Sequence, residues 1–398
     1  MGLKANKTAL AIAQQPIIDT FVQPSTSNDV LPVANVNFNI QGVTVQNEEY
    51  TGSVHKNGDE VIGKTCTLTF NVYLRPPAGG VMPAANAFLL GRILQAAKFT
   101  ENRVSTAIPA APEAIGASPT TTSVTLGAGA AATANLYKGL LVSLVGIGTT
   151  YPQRLTAIRS YSAAKVAVLC ETLDAAPSGN YQIPPQLAYQ RSISEADPDP
   201  LSTSLWLDGL RFDLINMRVS GLRINLPVST RNQGAIPMLE VTLSGTIHTT
   251  ADQATPTIPA LGAVPKFRDG DLWIAGKAVG GSSLVIDLGL RTAAPPNPNK
   301  PDGSDAEELV ESRTTITADL QKYRKAQFDT LALADAQAQH AVWAQYGLGA
   351  GSVVSVNVPD ARLNYRSPNI GGDHVNETGD LFVDAFDRNV SIVFPFAA

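Results

Sequence analysis

Charge is scarce in this sequence: 16% of its 398 residues are Asp, Glu, Lys or Arg, against roughly 25% in an average soluble chain. With so little charged surface to hold neighbours apart, part of its exterior is expected to be buried against partners. The net charge is −5 and no long basic run occurs, which excludes reading of a DNA sequence by a basic face. Cysteine occurs only at Cys66 and Cys170. Two isolated cysteines make neither a disulfide framework nor a thiolate metal site, and both read as buried thiols of a reducing compartment. No run approaches about 18 consecutive apolar residues, so no membrane insertion is expected. The apolar run Ala9–Ala13 is shorter than the roughly 7 to 15 residues of a signal-peptide core, and the chain reads as cytosolic when made.

Catalytic signals are equally sparse. The four histidines, His55, His248, His340 and His374, lie far from one another and from cysteine, so none has metal-ligand spacing. Ser162–Lys165 has the bare S-x-x-K spacing of penicillin-binding enzymes without its companion motifs. Gly347–Ser352 has the look of a dinucleotide loop, but it follows an expected helix and lacks a third glycine, so it reads as a helix end and turn. Pro301–Glu308 crowds carboxylates without the spacing of a calcium loop and reads as a solvated acidic loop; Glu195–Pro200 reads as a turn. No G-x-S-x-G, H-E-x-x-H or Walker sequence occurs. The expectation is a protein that is not an enzyme, with no catalytic, cofactor-binding or metal-binding residues.

What the chain does have is strand pattern. "VNFNIQGVTV" from Val36 and "CTLTFNVYL" from Cys66 alternate as amphipathic strands. After a Pro/Gly break, "NAFLLGRILQAAKF" predicts a helix of about 14 residues with Phe88, Leu89, Ile93 and Ala96 on one face. The strand-like "TITADL" and the helix-like "ADAQAQHAVWAQYG", centred on His340 and Trp343, come much later. Thr315 lies 248 positions after Thr67, and Ala334 the same distance after Asn86. A strand-to-helix spacing kept in both halves points to duplication of one folding unit. Between Thr106 and Pro185 a linker-like stretch and five short β-type runs read as a small barrel or sandwich that interrupts the first unit. The resulting division is an extended arm over 1–33 that needs a partner surface to become ordered, a first β unit over 34–105 and 186–257, an inserted β-domain over 106–185, and a second β unit over 258–398. The fold class is mainly β, a tandem duplication with one short helix per unit.

This succession of strand, long polar loop, strand, helix and strands resembles the tail tube (major tail) protein family of tailed bacteriophages. The likeness is carried by "LKANKTALAIAQQ", by "VNFNIQGVTVQNEEYTGSVHKNGDEVIGKTCTLTFNVYLR", by the first helix and by "VSVNVPDARLNYRSPNIGGDHVNETGDLFVDAF". The segment "VTLGAGAAATANLYKGLLVSLVGIG" onward is similar to small β-domains spliced into virion proteins. The resemblance implies a structural protein of β-sandwich units, forming stacked rings that conduct viral DNA without specific binding. Rings of the family carry six single units, so a duplicated chain implies homotrimeric, pseudo-hexameric rings. The implied partners are further copies of itself, with tape measure, tail terminator and tail tip proteins. The implied location is the virion tail, after assembly in the bacterial cytoplasm. A tail terminator, baseplate or decoration protein, or a β-sandwich carbohydrate-binding adhesin, are the alternatives.

Overall fold

A computed structural model describes the chain apart from residues 1–2, 5, 50–51, 56–57, 149–152, 230–233, 260–263, 266–269, 301–302, 348–350, 371–373 and 398. The fold is mainly β: strands take up 51% of the chain, and they pair antiparallel around two short helices.

The chain opens with β1 (Thr8–Gln14), β2 (Val30–Leu31), β3 (Ala34–Val45), β4 (Glu60–Tyr73), α1 (Leu89–Ala96) and β5 (Phe99–Val104). There follow β6 (Ile108–Ala114), β7 (Ser123–Thr125), β8 (Leu141–Val145), β9 (Gln153–Tyr161), β10 (Val166–Leu169) and β11 (Asn180–Ile183), which form a separate sheet in the order β6-β11-β8-β9-β10-β7. The first large unit resumes with β12 (Gln186–Arg191), β13 (Leu201–Leu207), β14 (Leu210–Pro227) and β15 (Met238–Asp252). The second contains β16 (Asp271–Ile274), β17 (Lys277–Ala278), β18 (Gly281–Asp287), the hairpin β19 (Leu290–Ala293) and β20 (Glu308–Ser312), β21 (Thr315–Gln321) and α2 (Thr330–Ala336). It ends with β22 (His340–Tyr346), β23 (Val354–Leu363), β24 (Ser367–Asn369), β25 (Asn376–Val383) and β26 (Ser391–Pro395).

The two units repeat one strand order. β1-β13-β14-β15-β4-β3 are hydrogen-bonded neighbours in the first, and β16-β22-β23-β25-β21-β18 in the second. Register repeats as well. Asn39 faces Thr67 and Asp287 faces Thr315, each 248 positions on. The β13–β14 ladder slips between Leu201 and Thr203, and the β22–β23 ladder slips at the matching place, between His340 and Val342. A β-bulge is a defined local distortion, and finding it twice at one position ties the two units residue by residue. At this point Leu201 corresponds to His340, only 139 positions on. The offset shrinks because only the first unit carries β5, the six-stranded sheet and β12 between its helix and its third strand.

The long strands cross between two layers. In one layer the C-terminal half of β14 pairs with β18, which fuses the units into a continuous sheet β3-β4-β15-β14-β18-β21-β25-β24, hereafter the wide sheet. The back layer holds β2-β1-β13 against the other half of β14, and β5-β12-β26-β23-β22-β16-β17. Alternation on β4 sends Cys66, Leu68, Phe70 and Val72 into the core between the layers, where they meet α1. A two-layer sandwich with one shared core is what half-apolar sheets must form to bury that face.

Several expectations need correction. "HAVWAQY" is strand β22, not helix, and α2 begins at Thr330, 241 positions after α1 begins at Leu89, so the constant offset holds for β3 and β4 but not for the helices. α1 is 8 residues long rather than about 14, because Asn86 before it takes a left-handed φ of 57°. The N-terminal arm contains an internal strand: β1 is buried and paired to β13, so the surface that orders it is the chain's own. The linker-like "IPAAPEA" is strand β6. The inserted sheet does not close its own core either. Its Leu141, Val142 and Ile183 share one apolar cluster with Ala188, Ala341, Trp343 and Val393 of the back layer.

Candidate assembly interface

The free face of the wide sheet, where each strand's alternate residues point away from the core, is mostly polar, interrupted by Met238, Val285 and Phe382. Asn37, Asn39, Thr67, Thr69, Thr242, Asn225, Thr317 and Thr378 all lie on it, none of them buried. Its charged positions include Glu240, Asp287, Asp319 and Asp380 and the cation Arg223, which faces Glu240 on one neighbouring strand and Asp287 on the other. Arg218 opposite Ser244 and Arg362 opposite Phe382 stand on the same side where the strands cross between layers, beside Asp197 and Asp384. Arg223 donates to the Asp287 carboxylate at 2.7 Å, and both carboxylates push its proton affinity up. Asp380 accepts from Thr317 at 2.7 Å and Asp319 from Thr378 at 3.1 Å. The face is therefore a hydroxyl-rich surface with more carboxylates than cations, on which Arg223, Arg218 and Arg362 each have a carboxylate partner.

The sheet has two open edges, β3 and β24, neither of which pairs on its far side with any strand among the described residues. Open edges template pairing with another chain. Beyond the core, β3 and β4 run on as a two-stranded ribbon that carries Val43, Val45, Val61 and Ile62 exposed. At the opposite end of β4, past Tyr73, lies an apolar groove of about 460 Å³ lined by Pro76, Pro77, Val81, Met82, Phe88 and Pro259. The sequence showed the β3 half of this ribbon as strand alternation from Val36, but its β4 half lies before the Cys66 start read for that strand, and the groove is made by distant segments and left no local signal.

On the back layer, the inserted sheet is clamped to the second unit by charge as well as by its core. Arg154 lies 2.5 Å from Glu171 and 3.1 Å from Asp271, and its guanidinium covers the rings of Trp273 and Trp343. Lys138 and Arg159 both reach Asp360, at 3.0 and 3.1 Å. Desolvation pushes the Glu171 carboxyl up against the pull of Arg154.

The sequence motifs are scattered. His55 and His374 are exposed, His248 stacks on Phe21 at 4.9 Å, and His340 opens β22. No group of three or more His, Cys, Asp or Glu among the described residues could hold a metal. Ser162 and Lys165 make the β9–β10 turn, with the lysine donating to the Gly127 and Ala128 carbonyls at 3.2 Å. Gly347 follows a strand rather than a helix, at a φ of 86°, and the rest of that loop through residue 350 lies outside the described residues. The Pro301–Glu308 loop, whose first two residues also lie outside them, is folded back rather than solvated: Glu307 accepts from Ser244 and from Thr292. Residues 195–200 turn against Arg218, which donates to the Pro198 carbonyl. Both thiols are buried, and burial pushes that of Cys66 up to about 12 and that of Cys170 further, so neither is a ready nucleophile. Trp206 and Trp343 are fully buried. No helix among the described residues is long and apolar enough to cross a membrane. No protein-family model matches the chain, and no curated protein matches it.

Proposed function

We propose that this chain is the tail tube protein of a bacteriophage, a structural subunit that closes into threefold rings and stacks them into a conduit for viral DNA. One observation carries the reading: the chain repeats a complete sandwich unit and joins the two copies edge to edge, β14 to β18, while leaving the equivalent outer edges open. A head-to-tail contact that closes makes a ring. With eight strands from each chain, three chains give a barrel of about 24 strands. At a spacing of about 4.8 Å and a tilt of about 40°, its backbone would be roughly 50 Å across, which leaves room for a DNA duplex.

The free face of the wide sheet would line that lumen. Acidic and hydroxyl-bearing walls suit a passage, because exposed cations would release counterions from the phosphates and hold the DNA in place. The apolar ribbon at one end of β4 and the apolar groove at the other give a second heterologous contact, from ring to ring along the axis. On this reading the assembled location is the virion tail, built in the host cytoplasm. Tail terminator and tail tip proteins would cap its ends, and a tape measure protein would occupy the lumen during assembly. The adhesin alternative gains nothing from Trp206 and Trp343, which are buried in cores, or from Trp273, which packs half-buried under Arg154.

Negative-stain microscopy of the purified protein tests the proposal. Striated hollow filaments or rings, with three chains per ring by mass, are expected. Dispersed monomers at every concentration and salt would sink it.

A further inference from the structure

We propose that β24 of one copy pairs with β3 of the next, in the register that β14 and β18 already use inside the chain. The inference rests on the ring reading above and supplies its contact residues.

Inside the chain the junction pairs Arg223 with Asp287, Ile224 with Ile286 and Asn225 with Val285. The internal repeat translates each of these residues. Asp287 corresponds to Asn39, since they face Thr315 and Thr67. Arg223 faces Glu240, which faces Asn71; Ser367 faces Thr378, which faces Asp319. Asn71 and Asp319 are once more 248 positions apart, so Arg223 corresponds to Ser367. Carried across, the junction between copies sets Ser367 opposite Asn39 and Pro368 opposite Phe38. Leu226, opposite Leu284, translates to Ile370 opposite Val36.

Exposure supports the translation. Leu226 is 1% exposed, in the core with its partner Leu284 of β18, whereas Ile370 is 78% exposed with no such partner strand among the described residues. An isoleucine left open where its counterpart is sealed is the mark of a cover supplied by a second copy. The two junctions also differ in strength. The 2.7 Å ion pair Arg223–Asp287 becomes a serine hydroxyl against an asparagine amide, and Pro368 has no N–H to give to a ladder. The contact between copies is therefore weaker than the one within the chain, and insensitive to salt because no ion pair forms there. A proline on the edge also discourages pairing in other registers.

Disulfide trapping tests the register. The double variant Asn39→Cys/Ser367→Cys, oxidised under assembly conditions, should give a reducible ladder that stops at three chains. Asn37→Cys/Ser367→Cys, displaced to the diagonal position roughly 7–8 Å away, should give at least tenfold less. Arg223→Cys/Asp287→Cys should close within one chain, which reports that the site geometry accepts a bridge. Mixing the two single variants, Asn39→Cys and Ser367→Cys, should give covalent dimers that contain one of each. If sedimentation shows threefold rings but the diagonal pair crosslinks as well as the direct pair or better, the register is wrong and the ring reading survives. If neither rings nor crosslinks form at any concentration, both fall together.

Discussion

The outward face of the back layer is built from the same strands in both units, yet it is covered in two different ways. In the first unit Ser202 and Ser204 on β13 face outward, and the N-terminal segment lies over them as hydrogen-bonded polypeptide. Val22 N–H donates to the Ser202 hydroxyl at 3.0 Å, and the Gln23 amide donates to Ser204 at 3.3 Å. In the second unit the matching positions on β22 are Ala341 and Trp343, and the inserted sheet seals them with an apolar core. One architecture thus accepts either cover, and the side chains on two strands decide which. A hydroxyl-bearing face needs backbone and amide groups over it, because an unpaired buried hydroxyl is costly; an apolar face needs apolar area.

The largest effects should come from uncovering the apolar face. Deleting 106–185 would expose Ala341, Trp343 and Val393 and leave Asp360 and Asp271 without Arg159 and Arg154. Loss of soluble protein is the expected outcome, where a self-contained insertion would have been removed without harm. In the full chain, Trp343→Ala should cost about 3–5 kcal/mol, since the ring is fully buried and its N–H donates to Ser355 at 2.8 Å. Ser204→Ala at the matching position should cost about 1–3 kcal/mol, leaving Asp213 short of the hydroxyl that donates to it at 2.6 Å. Urea midpoints of the two variants measure the comparison. Equal costs would mean that the two faces are not held in the different ways described.

How much of this was legible in the sequence follows from where each strand sits. β3 and β4 have one face in the core and one in water, so their alternation could be read, and so could their repeat at β18 and β21. β22 is buried on both faces and so shows no alternation, and the Ala- and Gln-rich run directly before it, "ADAQAQ", suits a helix. β1, "TALAIAQ", lost its signal the same way. The insertion's position was visible from its Pro-rich flanks, but its shared core was not, because the partner residues Trp343 and Val393 lie more than a hundred positions away. The polar face of the wide sheet could be seen strand by strand. The two open edges could not, since an edge is defined by pairings that are absent.

The helices sharpen the same comparison at a smaller scale. α1 buries five of its eight residues and has no capping side chain, so packing alone holds it. α2 buries two of seven, is capped by Asp329, which accepts from Ala332 N–H, and leaves Leu331 exposed. A Cβ placed on Gly91 of α1 would stand 2.0 Å from the Tyr189 hydroxyl, inside the core. Gly91→Ala should therefore cost about 1–3 kcal/mol through overpacking, despite the better helix propensity of alanine. Leu331→Ala in α2 should stay within about 0.5 kcal/mol. Thermal melts of the two variants give the answer, and a stabilised Gly91→Ala would show that α1 packs more loosely than described.

The smallest expected effect is a difference in pH response. His340 opens β22 where the first unit has Leu201. Burial, and then the nearby Arg159 guanidinium, hold its proton affinity below the ordinary value, and its Nε2 has no hydrogen-bond partner among the described residues. The unfolded chain takes up a proton at this residue near pH 6.5, while the folded chain resists it. Its contribution is therefore fully present above that pH and is lost as pH falls from there through the lowered folded value. His340→Gln keeps a polar group of similar reach and cannot titrate. Urea unfolding at pH 7.5 and pH 5.5 should show the wild-type protein losing slightly more stability than the variant over that interval. Carboxylates with lowered values, such as Asp19 beside Lys300 and Asp384 beside Arg362, act at lower pH and affect both proteins alike. An identical loss in the two proteins would mean that His340 is as free to protonate in the fold as in the unfolded chain, and the second unit would then have no pH response of its own to set against the first.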